Sequence, residues 1–295
     1  MRKRAAPRSV HLGVGAGSKA SEGPVGFDFG AEHGAVEEAP LRRALLRLMP
    51  GARRQALLGA VRGVRYRGDL AECPCCGSTF SRFLPHRGRS HAKCPGCGAL
   101  ERHRLLWLFL ERQTDLFERP GAMLHIGPEY GLLRQLSRIE GLSYVTGDVD
   151  SALASYELDV MDLPFGVGSF DFLICNHVLE HVEDDRRALA EIHRVVKPGG
   201  WAILMSPIDH RRESTLEDSA VLTPRDRHRV FGQGDHLRLY GRDYRDRLVE
   251  AGFAVRADRY LEGFDEGSIR RLGLRREQDN AFGVEEIFFC VKPEQ

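Results

Sequence analysis

From Gly121 to Val291 the chain repeats one pattern: a short apolar run, a turn, a helical stretch, then another apolar run. Runs at 122–126, 142–148, 158–160, 170–176, 201–207, 253–257 and 285–291 read as seven strands, and 131–139, 184–196 and 243–251 carry helical spacing. The helix over 184–196 is the best delimited. Glu183-Asp184 precede it, and Lys197-Pro198-Gly199-Gly200 place a cation in its last turn and breakers just past it. Strands joined through helices return parallel to one another rather than as hairpins. The spacing therefore predicts an α/β fold with a mostly parallel, doubly wound, seven-stranded sheet. Hydrophobic residues make up 42% of 295, enough for a sizeable core.

Upstream lies a different signal. Cys73-Pro74-Cys75-Cys76-Gly77 and Cys94-Pro95-Gly96-Cys97-Gly98 are two CPxCG turns, and seventeen residues separate Cys76 from Cys94. Two cysteines three apart on a tight turn aim both sulfurs at one point, and the following glycine lets the turn close. Two such turns supply a tetrahedral four-thiolate shell, which suits Zn2+. Cys73, Cys76, Cys94 and Cys97 are the expected ligands, with Cys75 spare. A closed four-thiolate site has no open position, so its expected role is structural. No signal-peptide run precedes it and no stretch has the roughly 18 apolar residues of a membrane span. Paired thiols in that setting favour a reducing, cytoplasmic compartment.

The domain reading follows. Residues 1–35, rich in Gly, Ala and Ser, are expected to be a disordered tail. Residues 36–70 form an arginine-rich helical segment broken at Pro50-Gly51, with eight arginines and no acid between Arg42 and Arg67. Residues 71–118 hold the zinc ribbon and a linking helix with a broad apolar face, within which Glu101–Arg104 read as a seam between modules. Residues 119–295 form the main domain, with a long polar insertion at 208–241. The net charge of +1 gives no global argument for nucleic acid.

The first strand of the main domain runs into His125-Ile126-Gly127-Pro128-Glu129-Tyr130-Gly131, a glycine-containing turn of the kind that lets a nucleotide-type cofactor approach the backbone. Asp148 ends the second strand 21 residues beyond Gly127, where a ribose-binding acid is expected at a spacing of ~20. Asp159 opens DVMDLPF, placed to accept from an adenine amine while Val160 and Met161 flank the ring. Asn176 closes the fourth strand at the carboxyl edge of the sheet.

Over about residues 121–292 the chain resembles the class I S-adenosylmethionine-dependent methyltransferases of the broad small-molecule type. The resemblance rests on LDVMDLPF, then SFD before the fourth strand, then LEHV at a helix start, then KPGG before the fifth strand, in that order. It implies a Rossmann-like domain and S-adenosylmethionine as cofactor. The first turn departs from the family pattern: His125 stands where an acid is usual, GPEYG keeps two glycines, and Pro128 lacks an N–H. Glu129 is then the expected partner of the methionine amino group. The CPxCG turns running into GALERHRLLWLFLER resemble an uncharacterised bacterial subgroup of the family.

On the acceptor side, His177 follows Asn176 and is a candidate base, since an imidazole titrates near 6.5. Glu180 and His181 lie on the same turn. The insertion is expected to lid the acceptor pocket, with Gln233, Asp235, His236, Arg238 and Tyr240 as ligand-facing groups; Asp235, His236 and Tyr240 are the candidates closest to the chemistry. Thr215 reads as a pocket residue or as a helix N-cap. The expected acceptor is a small molecule or glycan, methylated on oxygen or nitrogen. Two readings compete. RNA would be gripped by the arginines of 42–67, although Cys175-Asn176-His177-Val178 replaces the NPPY-like turn such enzymes carry. A zinc-ribbon adaptor on a degenerate methyltransferase fold would bind no cofactor. The oligomeric state is not encoded legibly.

Overall fold

The inner apolar runs of the sheet are buried on both faces between helices, while its edge strands stay largely exposed. In a computed structural model, which describes residues 51–275 and 286–294, seven strands share this sheet. They are β5 (Gly121–Ile126), β6 (Leu142–Asp148), β7 (Tyr156–Glu157), β8 (Phe170–Asn176), β9 (Val196–Met205), β12 (Ala254–Asp258) and β13 (Ile287–Val291), in spatial order β12-β13-β9-β8-β5-β6-β7. Pairings from β9 through β7 are parallel, and β13 alone runs antiparallel, to both β9 and β12. This is the doubly wound, Rossmann-like sheet the alternation predicts.

Two strand boundaries need correction. The third strand is Tyr156–Glu157 rather than 158–160; Leu158 and Val160 are buried just beyond it, in a turn. The fifth strand starts at Val196 and ends at Met205.

Four short strands precede the sheet: β1 (Arg67–Cys73) pairs antiparallel with β2 (Ser78–Phe80), and β3 (Leu84–His86) with β4 (Arg89–Lys93). Helix α1 (Gly51–Arg65) comes before them and α2 (Glu101–Gln113) after them. The expected tail and the part of the arginine-rich segment before Gly51 lie outside the described residues. The remaining helices are α3 (Tyr130–Leu136), α4 (Asp185–Val195), α5 (Pro224–Phe231), α6 (Tyr244–Glu250) and α7 (Glu266–Leu272). Asp184 caps α4 by accepting from the Arg187 N–H. Among the described residues no helix is long and apolar enough to cross a membrane.

The pleat sorts the sheet's side chains into two layers. Leu124, Leu173, Cys175, Ala202 and Leu204 face Leu189, Ile192 and Val195 of α4 and Leu248 of α6. Met123, Phe172, Ile174, Trp201 and Ile203 face the other way, in one continuous core with Leu105, Leu106, Phe109 and Leu110 of α2 and with Phe80, Phe83 and the cysteines of the ribbon. The ribbon is thus built into the core of the main domain rather than tethered beside it.

Arg104 fastens this seam. It is fully buried, its Nη1 donates to Ala92 O (2.9 Å) and Ala99 O (2.6 Å), its Nε to Leu272 O (2.9 Å), and its Nη2 to Gly273 O (2.5 Å). Its guanidinium also lies 4.0 Å from the Phe83 ring centre. One side chain therefore pairs carbonyls from the ribbon and from the end of α7. Replacing it leaves those carbonyls buried and unpaired, at a cost of about 3 kcal/mol. Arg104→Met should lower the thermal midpoint by roughly 6–12 °C, measured by circular dichroism; an unchanged midpoint would show that the seam is held elsewhere.

Candidate functional site

The strand order reverses at β5. The chain steps outward through β6 and β7, then crosses back to lay β8 on the other side of β5. The crossovers part there, opening a crevice at the carboxyl ends of β5 and β8. Gly127 leaves β5 with φ +65°, and a Cβ on it would lie 2.8 Å from Val178 Cγ2, so only glycine fits this turn. A Cβ on Gly131 would lie 3.0 Å from Ala99 Cβ. Gly131 is therefore required where α3 packs on the ribbon's exit, a packing role the cofactor motif did not suggest.

Asp148 spends Oδ1 on its own loop, accepting from Asp150 N and Ser151 N at 2.9 Å each. Its Oδ2 points toward Gly127, 3.9 Å from where that residue's Cβ would be. Leu158 N donates to Asp148 O (3.1 Å), which draws the 158–161 turn alongside. There Asp159 is exposed and accepts from Met161 N (2.8 Å), Val160 is buried and Met161 half-buried. Asn176, 5% exposed, has an Oδ1 without a partner. A buried orphan amide, a glycine cradle and a carboxylate with one spare oxygen thus meet at one edge of the sheet, a set that fits a nucleoside-bearing cofactor.

The altered first turn is internally compensated. His125 is fully buried, with Nδ1 2.8 Å from Tyr144 Oη and Nε2 3.0 Å from Glu129 Oε2. A carboxylate only accepts, so Nε2–H donates to Glu129 and Nδ1 accepts from Tyr144. His103 of α2 approaches from the other side: its Nδ1 accepts from Leu100 N (3.3 Å), leaving its Nε2–H 3.5 Å from Glu129 Oε1. Burial pushes His103 down to about 3. Burial raises the Glu129 carboxyl, but the facing His103 and the hydrogen bond from His125 outweigh it and hold it near 2. Glu129 is thus a fixed carboxylate in the first turn, four residues after His125.

The turn after β8 carries the acceptor-side candidates. His177 sits at φ +55°, a strained conformation for a non-glycine residue. It is pinned by its N–H to Met205 O (2.7 Å). Its Nδ1 lies 3.5 Å from Oε1 of Glu180, which is 2% exposed and accepts from Ser206 Oγ (3.1 Å). Burial raises Glu180, but His177 and His181 more than offset this and keep its carboxyl below the ordinary range.

The insertion is partly ordered, not an open loop: α5 is capped by Thr223, and β10 (Leu216–Glu217) pairs with β11 (Arg238–Leu239). It brings His236 (4% exposed) and Asp235 to His181, with the His181 and His236 rings 4.8 Å apart. Tyr240 is a correction: it is fully buried, and its hydroxyl is taken up by Leu179 O (3.1 Å) and Asp185 Oδ2 (2.8 Å). Arg238 is likewise buried, donating to Leu179 O, Val182 O and Glu183 O. Both brace the turn that presents His177 and Glu180 instead of touching a ligand. Gln233 is exposed. Thr215 caps no helix; its hydroxyl donates to Asp243 Oδ1 (2.7 Å).

The four expected cysteines converge. Cys73 Sγ lies 3.6 Å from Cys97 Sγ and Cys76 Sγ 3.8 Å from Cys94 Sγ, with all four sulfurs within 4.8 Å of one another. Thiolates at 2.3 Å from one tetrahedral ion would sit about 3.8 Å apart, so the donor set fits zinc. Cys75 points away, toward His103 O (3.5 Å).

The pH dependence of stability follows from His103 and Glu129. An unfolded chain protonates His103 near 6.5, whereas the folded one refuses that proton until about 3, so this contribution is present above 6.5 and lost as pH falls. The Glu129 contribution is lost in the same direction, from 4.5 toward 2. Between pH 6.5 and about 5.5 the histidine alone should cost about 1 kcal/mol. His103→Gln should flatten the fall by that amount in urea unfolding; identical slopes would contradict the assignment.

Residues 132–204 match the model of a family described as "Methyltransferase domain". Over 107 residues the chain is 28% identical to ajmaline N-methyltransferase of Rauvolfia serpentina, covering 34% of this chain and 36% of that protein. Over 54 residues it is 43% identical to 2-phytyl-1,4-naphtoquinone methyltransferase of Nostoc punctiforme, covering 18% and 24%. The chain thus spans about a third or less of these relatives. Among solved structures, phosphoethanolamine N-methyltransferase 2 of Haemonchus contortus with S-adenosyl-L-methionine aligns at 16% identity and a TM-score of 0.43, over 65% of this chain and 52% of that one. The matched residues run from within α3 to near the end of β9 and include Asp148, Asp159 and Asn176, while β5 and Gly127 lie before them.

Proposed function

We propose that the chain transfers the methyl group of S-adenosylmethionine to an oxygen or nitrogen of a small-molecule or glycan-like acceptor. The observation that carries this reading is the meeting of Gly127, Asp148 and Asn176 at the switch point, beside the His177–Glu180 pair. Bound S-adenosylmethionine supplies an activated methyl group: the sulfur–carbon bond breaks as the acceptor–carbon bond forms, and the sulfur keeps the electron pair. Asp148 Oδ2 takes the ribose hydroxyls, Asp159 the adenine amine between Val160 and Met161, and Glu129 the methionine ammonium. Gly131 lets α3 seat beneath the first turn. His177 donates Nδ1–H to Glu180 and accepts the acceptor's proton at Nε2, which has no partner. Asp235 and His236 line the acceptor side.

The sulfur spacings support a structural zinc on Cys73, Cys76, Cys94 and Cys97. Because those cysteines share a core with α2, the metal orders the helix that carries His103 to Glu129. A second reading, RNA methylation, draws on the exposed Arg53, Arg54, Arg65 and Arg67 in and after α1, which could grip phosphates.

Asp148→Ala removes a charge-assisted hydrogen bond worth about 1.5–3 kcal/mol, so cofactor affinity should fall roughly 10- to 150-fold; unchanged affinity would refute the ribose assignment. His177→Ala should keep cofactor affinity and lose roughly 10²-fold or more in methyl transfer. The assay is labelled methyl incorporation into a metabolite fraction and into total RNA in parallel. Full transfer by the variant would remove His177 as the base, and label entering RNA alone would favour the second reading.

A further inference from the structure

Glu180, His181 and His236 bring three donor atoms to one point, all within 4.8 Å of one another. Two come from the turn after β8 and the third from the insertion, more than fifty residues later. Among the described residues, the titratable groups facing the buried Glu180 carboxylate within 4.0 Å are His177 and His181, with no lysine or arginine. A buried carboxylate is costly without a compensating cation.

The two imidazoles are oriented for one. His181 Nδ1 lies 3.2 Å from Asp235 O and 3.5 Å from its carboxylate, so Nδ1 carries the proton and Nε2, 4.0 Å from Glu180 Oε1, presents its lone pair. His236 is 4% exposed, and its Nε2 is buried and has no partner. In His181, one ring nitrogen fixed by an oxygen and the other left as a free donor is the arrangement of metal-binding histidines.

We propose that Glu180, His181 and His236 bind a divalent transition-metal ion on the acceptor side of the crevice. Two imidazoles and one carboxylate suit Zn2+, Mn2+, Fe2+ or Co2+. Donors at about 2.0–2.2 Å from one ion lie about 3 Å apart when adjacent and about 4 Å apart when opposed. The side chains therefore close by no more than about an ångström or two. Unlike the four-thiolate cluster, three protein ligands leave coordination positions open. An acceptor with two neighbouring oxygens, such as a vicinal diol or a hydroxy acid, would fill them. Its bound hydroxyl would give up its proton more readily to His177. This role for the ion rests on the methyl-transfer reading, whereas its binding does not.

The test is Mn2+ titration of the full chain, zinc-loaded at the cysteines, followed by loss of the free-ion electron paramagnetic resonance signal. Wild type should take up one Mn2+ per chain, and His236→Ala should bind it about tenfold or more weakly. His181→Ala, at a side chain one-third exposed (34%), should do the same without disturbing the fold, checked by circular dichroism and by an unchanged zinc content. No Mn2+ uptake by wild type, or equal uptake by His181→Ala, would overturn the proposal. S-adenosylhomocysteine titrated in parallel separates the readings: its binding without Mn2+ uptake defeats only the metal site, and Mn2+ uptake without its binding defeats only the methyl-transfer reading.

Discussion

The reversal of strand order at β5 is the constraint on which the rest depends. Because β6 and β8 flank β5 on opposite sides, their crossovers diverge and leave the ends of β5 and β8 uncovered at one edge. Gly127 and Asn176 become neighbours through that pairing, although 48 residues of chain lie between them. The parallel register, with Ile126 opposite Cys175 and Gly147, also aligns the end of β6, so Asp148 falls at the same level. A single topological fact thus assembles a crevice from three loops that share no local sequence signal.

Around the crevice, two largely buried carboxylates are matched by partners. Glu129 is answered by His125 and His103, and Asp185 by Arg247 at 2.8 Å and by the Tyr240 hydroxyl. The Leu179–Glu183 turn is held by the guanidinium of Arg238 under its carbonyls. This bracing keeps His177 in a strained backbone conformation, and strain of that kind persists only where surroundings over-determine it. The insertion thus does two jobs: Arg238 and Tyr240 stiffen the turn, and His236 closes over Glu180. The ribbon contributes from the opposite side, through Arg104 and through the helix that delivers His103.

What could be read from the sequence was what local chemistry encodes. The strand–helix alternation shows in apolar spacing, the end of α4 in Lys197-Pro198-Gly199-Gly200, and the cysteine cluster in two matched turns. The apolar pattern points to 158–160 and not to the edge strand β7, because Tyr156–Glu157 carries no apolar period, whereas Leu158 and Val160 bury their side chains from a turn. In sequence Tyr240 and Arg238 look ligand-facing because the same residue types serve a lid or a brace, and only burial separates the two. The His125–Glu129 pairing replaces a familiar motif by an unfamiliar one, so the motif pointed to a gap that the fold fills. Glu180, His181 and His236 meet only in three dimensions, and no spacing in the chain announces them.

The central claim is that this crevice holds S-adenosylmethionine despite its altered first turn. Isothermal titration of the folded, zinc-loaded chain with S-adenosylmethionine and S-adenosylhomocysteine tests it most directly. Saturable, micromolar binding of both is expected if the adenosine and methionine ends they share meet the same Asp148, Asn176 and Glu129. Absence of binding by either ligand, in a sample shown to be folded, would contradict it and leave a zinc-ribbon protein on a degenerate methyltransferase fold.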